Sequence, residues 1–222
     1  MHEVNYHDVE QGSQEWLDLR KGKFSASRAG DLLATVRYGE AAGYRNYVTD
    51  LATERLTGRS PSRYVTKQME YGTDTEPVAR TMYSLVTGNV VKKSGIYIID
   101  GKEACASLDG EIGDDGTLEI KCRELANHVE SLASGKIPDA YYKQMQFQFW
   151  VTNRTWGDYC SYCDEMPENA QLFIKRIERD EAMITEIEER YEQAEERIGQ
   201  IIETIKQFKV GLIPAGLGVT VV

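Results

Sequence analysis

The stretch CASLDGEIGDDGTLEIKCRE, Cys105 to Glu124, holds six carboxylates, one lysine and one arginine in twenty residues that otherwise read as two β-strands. Alternate side chains of a strand point to opposite faces, so Glu119 and Lys121 project together while Leu118 and Ile120 turn the other way. Between the strands, GEIGDDG supplies turn chemistry, with an Asp-Gly pair, that folds EACASLD (103–109) onto GTLEIKC (116–122). That fold sets Asp109 beside Glu119. Two adjacent carboxylates resist ionising together unless a cation lies between them. A hard divalent ion suits such a pair, because Mg²⁺ or Mn²⁺ takes oxygen ligands octahedrally and keeps positions open for water and a phosphate oxygen. Lys121, on the same face, is placed to orient or deprotonate an attacking water and to offset charge developing on phosphate. Glu111, Asp114, Asp115 and Glu124 are assigned to a wet turn and a strand end. The alternative is a solvated hairpin with Glu119 and Lys121 as surface charges; a D-x9-E-x-K pattern recurs by chance, so the surroundings decide.

The whole chain is long and apolar enough for a real core, at 222 residues and 41% hydrophobic. It lacks a run of about 18 apolar residues, and MHEVNYHDVEQG is not a secretion signal, which predicts a cytoplasmic protein without a membrane partner. The four cysteines do not suggest a disulfide scaffold, and Cys160-Ser-Tyr-Cys163 is a lone CxxC that reads as small buried residues before it reads as a metal site. The net charge of −10 argues against a polyanionic partner until its distribution is considered. From Asp180 to Lys209 there are nine acids and four bases, whereas Gln11 to Lys67 holds ten bases and six acids, so the first third can still face phosphates.

GSQEWLDLRKGKFSASRAGDLLA (12–34) predicts two helices broken at Gly22, the second capped by Ser25 or Ser27 and preceded by Arg20, Lys21 and Lys23, an arrangement suited to an anion. Further helices are predicted over Tyr44–Thr57 and about 75–87, with glycines beyond their ends, and over AYYKQMQFQFWVT (140–152). Strands are predicted near 94–100, 103–109, 116–122 and 157–164, which together give an α/β fold with a mixed central sheet. At the C-terminus, Ile184, Ile187, Tyr191, Ala194, Ile198, Ile201, Ile205 and Phe208 form a seam of period 3.5 on one long helix. The seam packs on its own domain or on a second subunit. The expected organisation is one domain over 1–222, with a core at about 11–165, a C-terminal helical segment at about 168–209 and a tail over 210–222.

LDG…LEIKC resembles the PD-(D/E)xK nuclease signature with Leu108 in place of the proline, and the chain is similar to the phage lambda exonuclease and YqaJ-type viral recombinase family. Four blocks match in order between about Gln11 and Thr152: QGSQEWLDLRKGKFSAS, YGTDTEPVARTMYSLVTG, ASLDGEIGDDGTLEIKC and AYYKQMQFQFWVT. The resemblance implies a restriction-endonuclease-like core. It implies that Asp109, Glu119 and the backbone carbonyl of Ile120 hold the metal, that Lys121 is catalytic, and that Glu76 supports a metal from a helix across the site. Arg20 and Ser27 match the residues that grip a 5′ phosphate, with Ser25, Arg28 and Arg123 as further candidates for phosphate or DNA. Gln144 matches a glutamine near the scissile region, ahead of Gln146. Where close relatives carry a second phosphate-binding arginine, this chain has Asn127 and His128, leaving Arg123 as the substitute. Met69, in a loop before the Glu76 helix, is a candidate wedge for opening duplex ends, or else a core residue.

The function implied is a Mg²⁺-dependent 5′→3′ exonuclease, with Mn²⁺ as substitute, acting on double-stranded DNA ends and leaving a 3′ single strand for an annealing protein in phage-type recombination. The family resemblance also implies a toroidal homotrimer. The alternatives are another PD-(D/E)xK endonuclease and a catalytically silent DNA-binding or assembly module.

Overall fold

The computed structural model describes residues 2–60 and 67–209, without the side chains of 67–69. Along the chain run β1 (Val4–His7), α1 (Gln14–Arg20), β2 (Phe24–Ser25), a 3-10 turn (Ala26–Arg28), α2 (Ala29–Leu32), α3 (Ala42–Thr57) and α4 (Lys67–Thr87). Next come β3 (Val91–Lys92), β4 (Ile96–Ile99), β5 (Ala104–Ser107), β6 (Gly110–Ile112), β7 (Gly116–Cys122), α5 (Leu125–Ser134), α6 (Asp139–Thr152), β8 (Trp156–Tyr162), β9 (Leu172–Glu178) and α7 (Glu181–Gln207).

The fold is mixed α/β, but its strands form two hydrogen-bonded sheets, β1-β4-β5-β2 and β3-β6-β7-β8-β9, in place of one central sheet. Both mix orientations: β2 runs parallel to β5 and β7 parallel to β8, while the other pairs are antiparallel. The chain crosses between the sheets at Leu108 and Asp109, so a carboxylate stands where the two meet. The glycine that follows cannot be replaced freely: a Cβ on Gly110 would lie 2.3 Å from Val91 Cγ1.

Helices cover both faces of the second sheet. Ala79 and Tyr83 of α4 pack against Leu118, Ile120, Cys160 and Tyr162. On the other face, Phe147, Phe149 and Trp150 of α6 join Tyr159, the buried side of α3 and the start of the α7 seam in the main core. The seam is intramolecular through Ile198; Ile201 is half-buried, and Ile205 and Phe208 are exposed. Tyr44, Tyr47, Val48, Leu51 and Ala52 bury one stripe of α3, which ends at Gly58 in a left-handed conformation (φ 66°), its N–H donating to the Glu54 carbonyl at 2.8 Å.

Several boundaries differ from expectation. Residues 168–178 are a 3-10 turn and the edge strand β9, so the C-terminal helix begins at 181, where Asp180 caps it through the amides of Ala182 and Met183. Helix α4 begins eight residues earlier than its apolar pattern suggested, despite Gly72 and Pro77 within it. Met69 therefore sits on the first turn of a helix and not in a loop; its side chain, like the tail 210–222, lies outside the described residues. The second N-terminal helix is only a 3-10 turn and one α-turn, and neither Ser25 nor Ser27 caps it. No helix among the described residues is long and apolar enough to cross a membrane.

Candidate active site

The hairpin places its charges as the strand alternation requires. Gly110 pairs with Leu118, so Asp109 falls beside Glu119, and the Ile120 amide donates to Asp109 Oδ2 at 2.7 Å. Glu119 is fully buried on the central strand β7, with its carboxylate turned toward α6. Lys121 Nζ pairs with Glu119 Oε1 and lies 5.2 Å from the Tyr141 ring. This hairpin is therefore no solvated surface feature.

A buried carboxylate needs compensation, and Glu119 draws it from α6. Gln144 donates to Oε1 at 2.6 Å and Gln148 to Oε2 at 2.6 Å. The two glutamines are four residues apart and share a helix face. Gln146 lies on another side, donating to the Glu178 carbonyl and accepting from the Asp180 amide, so it ties α6 to the β9–α7 turn. Sequence reasoning missed Gln148, although its spacing from Gln144 was the available signal.

Enclosure raises the Asp109 pKa well above the usual carboxylate range, and Glu119 and Glu76 raise it further, against the opposing charge of Lys121. For Lys121, enclosure lowers the pKa, but the Glu119 and Asp109 carboxylates more than reverse this and hold it above the ordinary lysine range. Such a lysine is protonated near neutral pH. In this arrangement its charge is paired with Glu119.

Glu76 approaches from α4, but its carboxylate pairs with Arg80 one turn later. Arg80 also donates from Nε and Nη2 to the Asp109 carbonyl, at 3.1 and 2.8 Å. Among the described residues, no three histidine, cysteine or acidic side chains are gathered as a metal cage. The donor set nonetheless fits a divalent cation in part: Asp109 and Glu119 are crowded together with their charge incompletely offset, while Glu76 is placed toward Arg80. The Ile120 carbonyl stands on the same strand. Cys160 is buried, its thiol pushed up to about 12 by desolvation, and it packs as a small core residue.

Arg20 projects from the end of α1, stacks 4.7 Å from the Trp16 ring, and donates from Nη2 to Ser25 Oγ at 2.9 Å and Ser27 Oγ at 2.6 Å. Trp16 Nε1 donates to Ser107 Oγ at 2.7 Å, which fixes α1 against β5 two residues before Asp109. As a result, Arg20, Ser25, Ser27, Asp109, Lys121 and Gln144 all line one cavity of about 120 Å³. Arg28 lies outside that cavity, clasped by Asp31 and Asp50 at 2.7 Å each and over Tyr47, but it lines a neighbouring one with Ser27 and Gln144. Arg123 donates to Ser131 at 2.9 Å and lies 5.7 Å from the Tyr141 ring, on the flank of the site. His128, where a second phosphate-binding arginine was sought, is buried between Ser161 and the Ala170 carbonyl. Glu111 is not in a wet turn either; it bonds Tyr97 and the buried Arg154.

Residues 15–155 match the YqaJ-like viral recombinase domain, and the chain belongs to that family. It is a DNA nuclease. The structure is similar to an alkaline exonuclease, LHK-Exo, from Laribacter hongkongensis, with TM-score 0.79 and 38% identity over 88% of this chain and 97% of that one. The same enzyme in complex with dAMP gives TM-score 0.81 at 38% identity, covering the same shares. A phage-related exonuclease from Haemophilus somnus 129PT shares the fold, with TM-score 0.68 and 15% identity over 82% of this chain and 96% of that one. No curated protein matches the chain.

Proposed function

We propose that the protein is a Mg²⁺-dependent 5′→3′ exonuclease that degrades one strand of double-stranded DNA from its ends. The observation that carries this reading is the shared cavity: Arg20 with its two serines, suited to a terminal phosphate, opens onto Asp109, Lys121 and Gln144. Charge-assisted bonds from one guanidinium and two hydroxyls select a 5′ phosphate and register the chain, so that the next phosphodiester meets the carboxylates. Asp109 and Glu119 would hold the metal, which when bound supplies an activated water and offsets phosphoryl charge. Gln144 holds Glu119 in place, and the protonated Lys121 stabilises the charge that develops on the reacting phosphate. Mn²⁺, with the same oxygen preference, is expected to substitute.

The wider reading follows from the family resemblance: a single nuclease domain, a homotrimeric ring around DNA, and a 3′ strand passed to an annealing protein in the host cytoplasm. The acidic composition of α7 fits a ring with positive potential only inside. Light scattering of the purified protein checks the trimer. The activity is tested on linear duplex with 5′-phosphate or 5′-hydroxyl ends and on nicked and covalently closed circles, with Mg²⁺ or EDTA. Mg²⁺-dependent loss of linear 5′-phosphorylated DNA with closed circles intact is the expected result. Opening of the closed circle would make the protein an endonuclease, and no cleavage of any substrate a silent binding module.

A further inference from the structure

Gln148 is completely buried. Its amide nitrogen donates to Glu119 Oε2 at 2.6 Å and lies 3.5 Å from the Ser107 carbonyl. Both neighbours can only accept, so the nitrogen must face them, and the orientation of the amide is settled by chemistry. Its Oε1 is thereby turned to a place where it has no partner among the described residues. An unpaired buried acceptor is unfavourable, and a methionine or leucine would fill the same volume without it. If Gln148 served only to pack α6, there would be no reason for the amide. Gln144 and Lys121 both reach Glu119 Oε1, so it is Gln148 that restrains the second oxygen, Oε2.

We propose that Gln148 is a positioning residue for the metal carboxylate. With Gln144 it grips Glu119 by both oxygens and fixes the plane of the carboxylate. Outer partners of this kind hold a metal ligand in the orientation that binding needs. This inference rests on the proposed reading of Asp109 and Glu119 as a metal site.

The test titrates MgCl₂ calorimetrically into the full-length protein without DNA, comparing wild type with Gln148→Met, and follows cleavage of 5′-phosphorylated duplex across the same Mg²⁺ range. Gln148→Met is expected to weaken Mg²⁺ binding at least about tenfold. Turnover should fall at limiting Mg²⁺ and recover in excess, with KM for DNA ends unmoved. Equal Mg²⁺ affinity in the folded variant, with only a changed melting temperature, would overturn the inference and leave the metal site standing. Absence of Mg²⁺ uptake by wild type would overturn the metal reading itself, and this inference with it. Should Gln148→Met fail to fold in EDTA, Gln148→Asn keeps the amide but withdraws it by one methylene, and the same loss of affinity is expected of it.

Discussion

The two sides of the site are built by different means. On the sheet side, Asp109 is fixed by the Ile120 amide at the crossing between the sheets, and Glu119 by two glutamines and a lysine on a strand paired on both edges. On the helix side, Glu76 pairs with Arg80, which also ties α4 to the Asp109 carbonyl. The sheet side is braced from several directions. The helix side is held back by an internal ion pair that must loosen if Glu76 is to reach a metal. Preorganisation thus belongs to the strands, and adjustment to the helix.

The strongest way to break this contrast is at Asp109. Asp109→Asn keeps an acceptor for the Ile120 amide but removes one of two crowded carboxylates, and cleavage is expected to fall more than about a hundredfold, beyond what an outer partner usually carries. The same change should raise the melting temperature in EDTA, because the metal-free protein no longer encloses that charge next to Glu119 and Glu76. A fall in melting temperature would show the pair to be stabilising without metal. Arg20→Ala comes next: losing hydrogen bonds between a charged group and a phosphate, worth about 1.5–3 kcal/mol, should reduce the preference for 5′-phosphorylated over 5′-hydroxyl ends roughly ten- to a hundredfold. Kinetics on the two end types checks it, and an unchanged preference moves the phosphate site elsewhere. Glu76→Gln should cost least, about tenfold at limiting Mg²⁺ and little in excess, since this carboxylate is already engaged with Arg80. A loss as large as that at Asp109 would place both sides of the site on the same footing.

What could be read from the chain depended on range. Strand alternation sorted Glu119 and Lys121 from Leu118 and Ile120, and the 3.5-residue period placed Ile184 to Ile198 on a buried seam. Both patterns are local. The edge strand β1 was invisible, because Val4–His7 pairs with residues some ninety positions away and its own pattern is mostly polar. Strand β9 was missed because its half-exposed residues carry little alternation. The clasp of Arg28 by Asp31 and Asp50, the pairing of Glu111 with Arg154 and the turn of Glu76 toward Arg80 each depend on which neighbour a charge finds first, which composition does not specify. The family resemblance located Gln144 but not Gln148, where the helical spacing of four was the relevant signal.

The indole of Trp150 lies on α6 two residues beyond Gln148, stacks 5.4 Å from Tyr191 and donates to Glu188 at 2.9 Å, so it looks onto α7 while the glutamines look onto Glu119. Trp16 lies under Arg20. The molecule therefore carries its own optical labels, one beside Arg20 and one against α7. Trp156, beside Arg176, is the third indole, so replacing two of the three by phenylalanine would leave a single emitter at a chosen place in the fold.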